Sequence, residues 1–287
     1  MRVLSFAFLF FNLFAPAILA SPLLTSRSIS SSLYDDLVRY TQYSSAAYQL
    51  LCPSPLGNTL VQSFSVGPTQ GFIARDDTRQ EIVVSFRGSF NLADVATDIN
   101  IFLVPLVSPG LTETFNVHSG FLAAYNDVAE VVLTTVKAQL AEFPTYAVVV
   151  TGHSLGGALA ALGASALKTA FPTASLKLYT FGQPRTGDAN FVAFVESTIG
   201  VENIFRAVHT FDGVPTILPR ALGYEHHSTE YWQFKDPDLF TSAASTVTQC
   251  VGEEDPSCSD SIPSTGINLA HVFYFGQVMA VNPTLCL

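Results

Sequence analysis

Five residues near the middle of the chain constrain its fold more than any other stretch. The sequence G-H-S-L-G at positions 152–156 matches the pattern G-x-S-x-G, and a β-branched run at 148–151 precedes it. The run at 157–167 is rich in alanine and leucine, which favours a helix. A sharp turn from a strand into a helix exposes the central serine at the helix N-terminus, where backbone N–H groups favour negative charge. The stretch therefore predicts a nucleophile elbow, with Ser154 as the catalytic nucleophile.

The first 20 residues predict a secretory signal peptide. Arg2 precedes an apolar run at 3–14, and small residues up to Ala20 provide a cleavage site. A membrane anchor is the alternative, but an anchor needs about 20 uninterrupted apolar residues. Asn12 and Pro16 interrupt this run. The mature protein is therefore expected to be extracellular, with no transmembrane anchor after removal of the signal peptide.

The rest of the chain predicts one large domain. Of the 287 residues, 48% are hydrophobic and 13% are charged, which suits a single α/β core. The formal net charge of −10 argues against nucleic acid as a partner, because nucleic acid is itself negatively charged. Residues 21–31 are serine-rich and predict a short pro-segment or a flexible tail, in which Arg27 would mark a second cleavage point. The domain is then expected to span residues 32–287.

The four cysteines predict disulfides, since a secreted protein folds under oxidising conditions. Four cysteines allow three pairings. Cys250 and Cys258 bracket a loop rich in glycine, aspartate and proline and can bridge locally. Cys52 and Cys286 would then tie together the two ends of the domain. Neither pair has the spacing of metal ligands, so no metal site is predicted, and no cofactor is expected.

Donors for an oxyanion are predicted in two places. Acyl transfer needs N–H groups aimed at the developing negative charge, and one usually comes from a loop well before the nucleophile. A strand is predicted to end in the sequence S-F-R-G-S at 85–89, where Ser89 would supply its backbone N–H and its hydroxyl. The N–H of Leu155, directly after the nucleophile, would be the second donor. The alternative for 85–89 is an ordinary turn at the end of a strand.

The segment 90–109 is unusually apolar for a surface connection, and Asp94 and Asp98 are its only charges. Part of it has apolar residues at helical spacing. One interpretation is a core helix followed by a strand. The other is a mobile lid that covers an apolar cleft and exposes it at a lipid surface. The predicted lid residues are Phe90, Leu92, Val95, Ile99, Phe102 and Leu103.

Asp212 is the predicted acid of a catalytic triad. It follows a predicted strand at 203–208, and an acid just past a strand's C-terminal end lies on the rim where such folds place their sites. Three other aspartates compete. Asp188 begins a predicted helix, where capping the helix is a sufficient role. Asp236 and Asp238 flank a proline in what the sequence predicts to be an exposed turn.

His271 is the predicted base, because in this order of residues the base follows the acid. It precedes the apolar sequence V-F-Y-F-G at 272–276 near the C-terminus. His226 and His227 are the alternatives, but they lie in a polar stretch and are expected to bond loop backbone. His118 precedes the nucleophile and is expected to be structural.

Taken together, these motifs resemble those of the fungal class 3 lipases, which are secreted α/β-hydrolases with a Ser-Asp-His triad. The resemblance covers residues 33–287 and is carried by 85–89, 152–157, Asp212 and His271, in that order. It implies the α/β-hydrolase fold, with a mostly parallel central sheet, flanking helices and a lid segment. It also implies ester hydrolysis through an acyl-enzyme on Ser154.

The sequence predicts ester hydrolysis but leaves more than one substrate class open. The leading prediction is a triacylglycerol lipase that cleaves acylglycerols at an oil–water interface. The alternative is a feruloyl or aryl esterase acting on plant cell-wall esters. The Cys250–Cys258 loop and the D-x-N element at 98–100 resemble that branch, and the lid lacks the tryptophan often found in lipases, since Trp232 is the only one. A catalytically inactive binding protein on the same fold is a third possibility, which the intact set of catalytic residues disfavours.

Overall fold

The computed structural model describes residues 27–89, 101–264 and 266–287. The helices are α1 (Ser31–Ala46), α2 (Ser119–Asn126), α3 (Ala129–Glu142), α4 (Leu155–Ala170) and α5 (Ala189–Ile199). The strands are β1 (Thr59–Val66), β2 (Thr69–Asp76), β3 (Glu81–Phe86), β4 (Leu103–Ser108), β5 (Leu111–His118), β6 (Ala147–His153), β7 (Leu176–Phe181), β8 (Ile204–His209), β9 (Glu230–Gln233), β10 (Val247–Gln249), β11 (Phe273–Tyr274) and β12 (Gln277–Val278). Among the described helices, none combines the length and the apolar character that crossing a membrane would require.

Eight of these strands form the central sheet, in the order β1-β2-β3-β6-β7-β8-β9-β10. The five central strands, from β3 to β9, run parallel to one another. Antiparallel strands extend both edges. Parallel neighbours require crossover connections. Helices α2 to α5 lie in the first three of them, and a long loop makes the fourth, from β8 to β9. The predicted mostly parallel sheet is therefore confirmed.

Strand β6 shows why the centre of the sheet is apolar on both faces. Val148 and Val150 point into the core formed with α2, α3, α4 and α5, whereas Val149 points into the core formed with α1. Successive side chains of a strand alternate between its faces, so a strand covered on both sides needs a continuous apolar run. The two covering layers leave the ends of the strands as the accessible part of the sheet.

Helix α1 differs from its prediction at both ends. The sequence predicts a helix over 32–51 that begins with a capping box at Ser32. Instead, Ser30 is the N-cap, and its Oγ accepts the backbone N–H of Leu33 at 3.1 Å. The buried Ile29 fixes the entry of the chain, which places Ser30 at the cap. The helix ends at Ala46, because Tyr48 turns inward to contact His153.

The region before the elbow also differs from its prediction. A single helix is predicted over 126–143, but two helices, α2 and α3, occupy 119–142. Before them, β4 and β5 pair as an antiparallel hairpin outside the central sheet. His118 ends this hairpin and caps α2, since its Nδ1 accepts the N–H of Phe121 at 3.2 Å. It has the structural role expected from the sequence.

Two disulfides join the pairs that the sequence predicts, Cys52–Cys286 and Cys250–Cys258.

The first described residue, Arg27, lies beside the Cys250–Cys258 disulfide. The carbonyl of Arg27 accepts the N–H of Gln249 at 2.9 Å, and its guanidinium pairs with Asp255 at 2.5 Å. The predicted signal peptide, the greater part of the predicted tail and the lid residues Phe90, Leu92, Val95 and Ile99 lie outside the described residues.

Candidate active site

The G-x-S-x-G sequence forms the turn from β6 into α4. Ser154 has φ 59° and ψ −129°, a strained conformation for a residue with a side chain. Both glycines are sterically required. A Cβ on Gly152 would lie 2.1 Å from the carbonyl oxygen of Gly156, and a Cβ on Gly156 would lie 2.3 Å from that of Phe86 in β3. The turn therefore packs β3, β6 and α4 tightly around Ser154.

The predicted oxyanion segment lies beside this turn. Strand β3 runs parallel to β6 with Phe86 opposite Gly152, so the residues after both strands emerge at the same end of the sheet. A Cβ on Gly88 would lie 3.2 Å from Cβ of Ser154, and Ser89 follows directly. Leu155 is the first residue of α4, where the helix itself supplies no acceptor for its N–H. Both predicted donors thus belong to segments that adjoin the nucleophile.

Asp212 lies just beyond the C-terminal end of β8, and its buried carboxylate accepts three hydrogen bonds. Its Oδ1 accepts the backbone N–H of Val214 at 2.9 Å. Its Oδ2 lies 2.8 Å from Nδ1 of His271 and 2.5 Å from the hydroxyl of Tyr274. Burial and the charge of Asp212 raise the pKa of Tyr274 well above its usual value, so the hydroxyl remains a donor. These contacts fix the carboxylate and leave Nδ1 of His271 protonated.

Two polar atoms of this cluster have no hydrogen-bond partner among the described residues, Oγ of Ser154 and Nε2 of His271. Both residues are fully buried. A buried polar atom without a partner is costly, so such atoms are rare in folded proteins. Because Asp212 holds the proton on Nδ1, Nε2 is an acceptor. These two atoms are therefore the ones available for chemistry.

Gly182 packs directly against Asp212 and His271. It follows β7 directly and has φ +57°, which favours glycine. A Cβ at this position would lie 2.8 Å from Oδ2 of Asp212 and 2.9 Å from Nδ1 of His271. Only glycine lets the end of β7 approach the pair this closely.

Two further residues, Tyr48 and His153, contact this site although no local pattern in the sequence singles them out. The hydroxyl of Tyr48 lies 2.7 Å from Nδ1 of His153, and Nε2 of His153 lies 2.7 Å from the carbonyl oxygen of His271. Burial, together with the neighbouring His271, lowers the pKa of His153 well below its usual value, so its ring is neutral. His153 occupies an unspecified position of the G-x-S-x-G pattern. Tyr48 precedes it by 105 residues, so no local signal connects the two.

The competing aspartates have other contacts. Asp188 is the N-cap of α5, and its Oδ1 accepts the N–H of Phe191 at 2.9 Å. Asp236 contacts His209 at 3.1 Å with a side chain that is 69% exposed. Asp238 is exposed as well. None of the three contacts His271 through a hydrogen bond in the described structure.

The competing histidines bond loop backbone, as expected. Nε2 of His226 lies 2.9 Å from the carbonyl oxygen of Pro215, and Nδ1 of His227 lies 3.0 Å from that of Ser228. Burial lowers the pKa of both rings, that of His227 to about 4. They are neutral structural residues in this fold.

The described end of the predicted lid consists of Phe102 and Leu103. Phe102 is 68% exposed, and its carbonyl oxygen accepts the N–H of Ser119 at 2.9 Å. Leu103 is the first residue of β4. The hydroxyl of Tyr224 donates to the carbonyl of Ile101 at 3.1 Å. These two hydrogen bonds hold the backbone at 101 and 102.

Residues able to bind a metal form one close group within the described parts of the chain, Glu230 with Cys250 and Cys258. The two sulfurs form a disulfide, so neither is available as a thiolate ligand.

Comparisons with known proteins agree with this geometry. The family model "Lipase (class 3)" matches residues 83–221. The chain is 38% identical over 213 residues to "Secreted mono- and diacylglycerol lipase 1" of Fusarium solani, a match that covers 74% of this chain and 61% of that relative. It is 31% identical over 284 residues to "Secreted mono- and diacylglycerol lipase A" of Penicillium cyclopium, which covers 90% and 89% of the two chains.

A solved structure gives the same result for the fold. The crystal structure of a triacylglycerol lipase from Penicillium expansum superimposes with a TM-score of 0.80 at 28% identity, over 88% of this chain and 96% of that one. The predicted α/β-hydrolase fold is therefore confirmed. With a Penicillium cyclopium relative matched over nearly its whole length and the elbow at the end of β6, the chain belongs to the class 3 lipase family of serine ester hydrolases.

Proposed function

We propose that this protein is a secreted triacylglycerol lipase that hydrolyses acylglycerol esters through an acyl-enzyme on Ser154. The observation that carries the proposal is a pair of buried, unpartnered atoms, Oγ of Ser154 and Nε2 of His271, in a site where Asp212 bonds the other nitrogen of the same ring. That arrangement suits nucleophilic attack by a serine with histidine as the base.

In the acylation step, Oγ of Ser154 bonds to the carbonyl carbon of the ester, and its proton moves to Nε2 of His271. The carbonyl π electrons move onto oxygen. The carboxylate of Asp212, 2.8 Å from Nδ1, holds the ring in place and stabilises the imidazolium that forms. Tyr274 and Val214 occupy the other bonding positions of that carboxylate, so it keeps its orientation throughout.

The negative charge on the carbonyl oxygen needs donors. The N–H of Leu155 at the start of α4 and the N–H and hydroxyl of Ser89 would supply them. The proximity of Gly88 to Ser154 supports this assignment, because it brings the segment after β3 alongside the nucleophile.

In the following steps the proton returns to the departing groups. The imidazolium of His271 gives its proton to the alcohol oxygen of the glycerol as the carbon–oxygen bond breaks, which leaves the acyl group on Ser154. Water then gives a proton to Nε2 while its oxygen attacks the acyl carbon. The same proton passes to Oγ as the fatty acid leaves, and the free enzyme is restored.

The acylglycerol substrate is supported by the names of the relatives and by the surface beside the site. Phe211 and Leu269, which adjoin the loops of the acid and the base, are 52% and 77% exposed. Exposed apolar side chains around a polar catalytic cluster suit a lipid substrate. The signal peptide predicted at residues 1–20 and the secreted relatives support an extracellular location.

The first test is hydrolysis of an emulsified long-chain triacylglycerol, a short-chain nitrophenyl ester and methyl ferulate, by the wild type and by Ser154→Ala. We expect the variant to lose on the order of 10⁶ in kcat. Ser165→Ala is the matched control, because Ser165 is a buried serine of α4 whose Oγ bonds only the helix backbone at 2.8 Å. An alkyl phosphonate should label the wild-type peptide that contains Ser154. Activity in Ser154→Ala would overturn the proposal.

The second test concerns the lid, on which the choice of substrate depends. We expect Leu92→Asp with Val95→Asp to lose activity on emulsions while keeping it on a dissolved nitrophenyl ester, because charged residues would not enter lipid. The measurement is activity across the solubility limit of a short triacylglycerol. A double variant equal to the wild type on emulsion, with methyl ferulate as the better substrate, would favour an aryl esterase instead.

A further inference from the structure

A chain of buried hydrogen bonds connects three separate parts of the site. It begins at Gly88, whose backbone N–H donates to the hydroxyl of Tyr48. Tyr48 lies 2.7 Å from Nδ1 of His153, and Nε2 of His153 lies 2.7 Å from the carbonyl oxygen of His271. Tyr48, His153 and His271 are 2% exposed or less.

The direction of every bond in this chain is determined. The carbonyl of His271 can only accept, so Nε2 of His153 carries the proton and Nδ1 is an acceptor. The hydroxyl of Tyr48 must then donate to Nδ1, and its oxygen accepts from Gly88. Burial raises the pKa of Tyr48 and lowers that of His153, so both remain neutral. Hydrogen bonds that run in one direction polarise and strengthen one another.

The residues at the Gly88 end of this series of hydrogen bonds are also closely packed. A Cβ on Gly88 would lie 2.2 Å from the hydroxyl oxygen of Tyr48 and 2.6 Å from the carbonyl oxygen of His153. At the other end, the ring of His153 lies 4.4 Å from that of His271, centre to centre. The backbone at Gly88, the residue before the nucleophile and the base are therefore held against one another.

We propose that Tyr48 and His153 are positioning residues, which set the distance between the oxyanion segment at Gly88, the nucleophile at Ser154 and the base at His271. One end of this series of hydrogen bonds is the backbone N–H of Gly88, next to Ser89, and the other is the backbone carbonyl of the base, His271. Neither Tyr48 nor His153 has to touch the substrate. The three elements follow three different strands of the central sheet, β3, β6 and β10. This inference rests on the proposed function, because it assigns a role within that reaction.

The test is Tyr48→Phe, which removes one hydroxyl and keeps the ring. We expect kcat on a short nitrophenyl ester to fall by roughly 10-fold or more, as misplacement of reacting groups does, with KM changed by less than about 2-fold. Tyr43→Phe is the matched control. Tyr43 is a buried tyrosine of α1, five residues before Tyr48, and its hydroxyl accepts from Asn58 at 2.9 Å, away from the site. It should keep the wild-type kcat.

Variants of His153 test the order of the bonds. The amide nitrogen of His153→Gln can replace Nε2 as donor to His271 but cannot accept from Tyr48, whereas His153→Leu loses both contacts. We expect His153→Gln to keep more activity than His153→Leu. Adding Tyr48→Phe to His153→Gln should cost nothing further, because the link between the two residues is already broken. Thermal unfolding of each variant shows whether it is folded.

Three results would overturn the proposal: wild-type kcat in Tyr48→Phe, an equal loss in Tyr43→Phe, or losses that multiply in the double variant. Failure of the proposed function gives a different pattern, since Ser154→Ala would then keep its activity and the phosphonate would not label Ser154. The nitrophenyl ester keeps the test independent of acylglycerol specificity.

Discussion

The hydroxyl of Tyr274 and the ring of His271 share one oxygen of Asp212. Oδ2 lies 2.5 Å from the hydroxyl and 2.8 Å from Nδ1 of the ring. Both residues belong to the same C-terminal segment, in which a short turn over 269–272 leads directly into β11. Oδ2 of Asp212 therefore fixes the positions of both His271 and Tyr274. The bond from Tyr274 also prevents the carboxylate from rotating away from the base.

Replacement of Tyr274 by phenylalanine should lower kcat by about 10-fold, because a hydrogen bond to a charged group is worth about 1.5–3 kcal/mol and only part of it is lost selectively in the transition state. Tyr125→Phe is the control. Tyr125 is equally buried, but its hydroxyl has no partner among the described residues, so its removal should leave both activity and stability unchanged or slightly improved. Steady-state kinetics and urea unfolding of both variants check this. Equal kcat values for the two variants would contradict it.

Replacement of Gly182 by alanine should lower kcat by roughly 10²-fold, because the added methyl group would displace the carboxylate of Asp212 and the ring of His271. The matched control is Gly252→Ala. Gly252 also has a positive φ, +72°, but no atom lies within 4 Å of the added Cβ, so that variant carries only the backbone strain. Gly182→Ala should be the more destabilised of the two in thermal unfolding, because it adds these close contacts to the backbone strain, and only Gly182→Ala should lose kcat. Similar kcat values for Gly182→Ala and Gly252→Ala would mean that Gly182 is needed only for its backbone conformation, and not for the position of Asp212 and His271.

Stability should fall as the pH falls from about 7 to 5. Burial lowers the pKa of His118 and His227 to about 4, from 6.5 in the unfolded chain. Between these values the unfolded state binds more protons than the folded state. The free energy of unfolding therefore decreases on acidification, by up to about 1.4 kcal/mol per pH unit for each such histidine.

Urea unfolding at pH 7, 6 and 5 measures this slope. His118→Asn should reduce it, since asparagine keeps an acceptor for the cap of α2 and does not titrate. The carboxylates with lowered pKa lose their contribution only below about pH 4.5, outside this window; they are Asp77, Asp238, Glu254 and Asp255. A free energy of unfolding that stays constant from pH 7 to 5 would refute the prediction.

The two disulfides should differ in their contribution to stability. Cys52–Cys286 spans 234 residues and Cys250–Cys258 spans 8. On the chain-entropy model these loops correspond to about 5 and about 2.5 kcal/mol, because closing a longer loop removes more freedom from the unfolded chain. Paired serine variants, one pair at a time, give the measurement by urea unfolding. A larger loss for the short loop would show that local packing outweighs chain entropy.

The sequence alone was sufficient for the parts of the site that depend on local pattern. The tight turn at 152–156 needs its glycines, because a Cβ on Gly152 or Gly156 would clash with nearby backbone. The β-branched run before the turn favours a strand, and the alanine-rich run after it favours a helix. Asp212 and His271 could be predicted because each follows or precedes an apolar element in a known order along the chain. The cysteine pairs could be predicted because one pair is close in sequence and leaves a single partner for each remaining cysteine.

Only the tertiary structure decided what surrounds those residues. Tyr48 bonds His153 from 105 residues away, and Tyr274 was visible only as one aromatic residue in an apolar run. Helix α1 ends at Ala46 rather than Leu51, and Tyr48 just beyond it bonds His153 instead of continuing the helix. In each case the deciding contact joins segments distant in sequence. A local pattern determines which conformation a segment prefers, whereas its partners across the core are determined only when the sheet assembles.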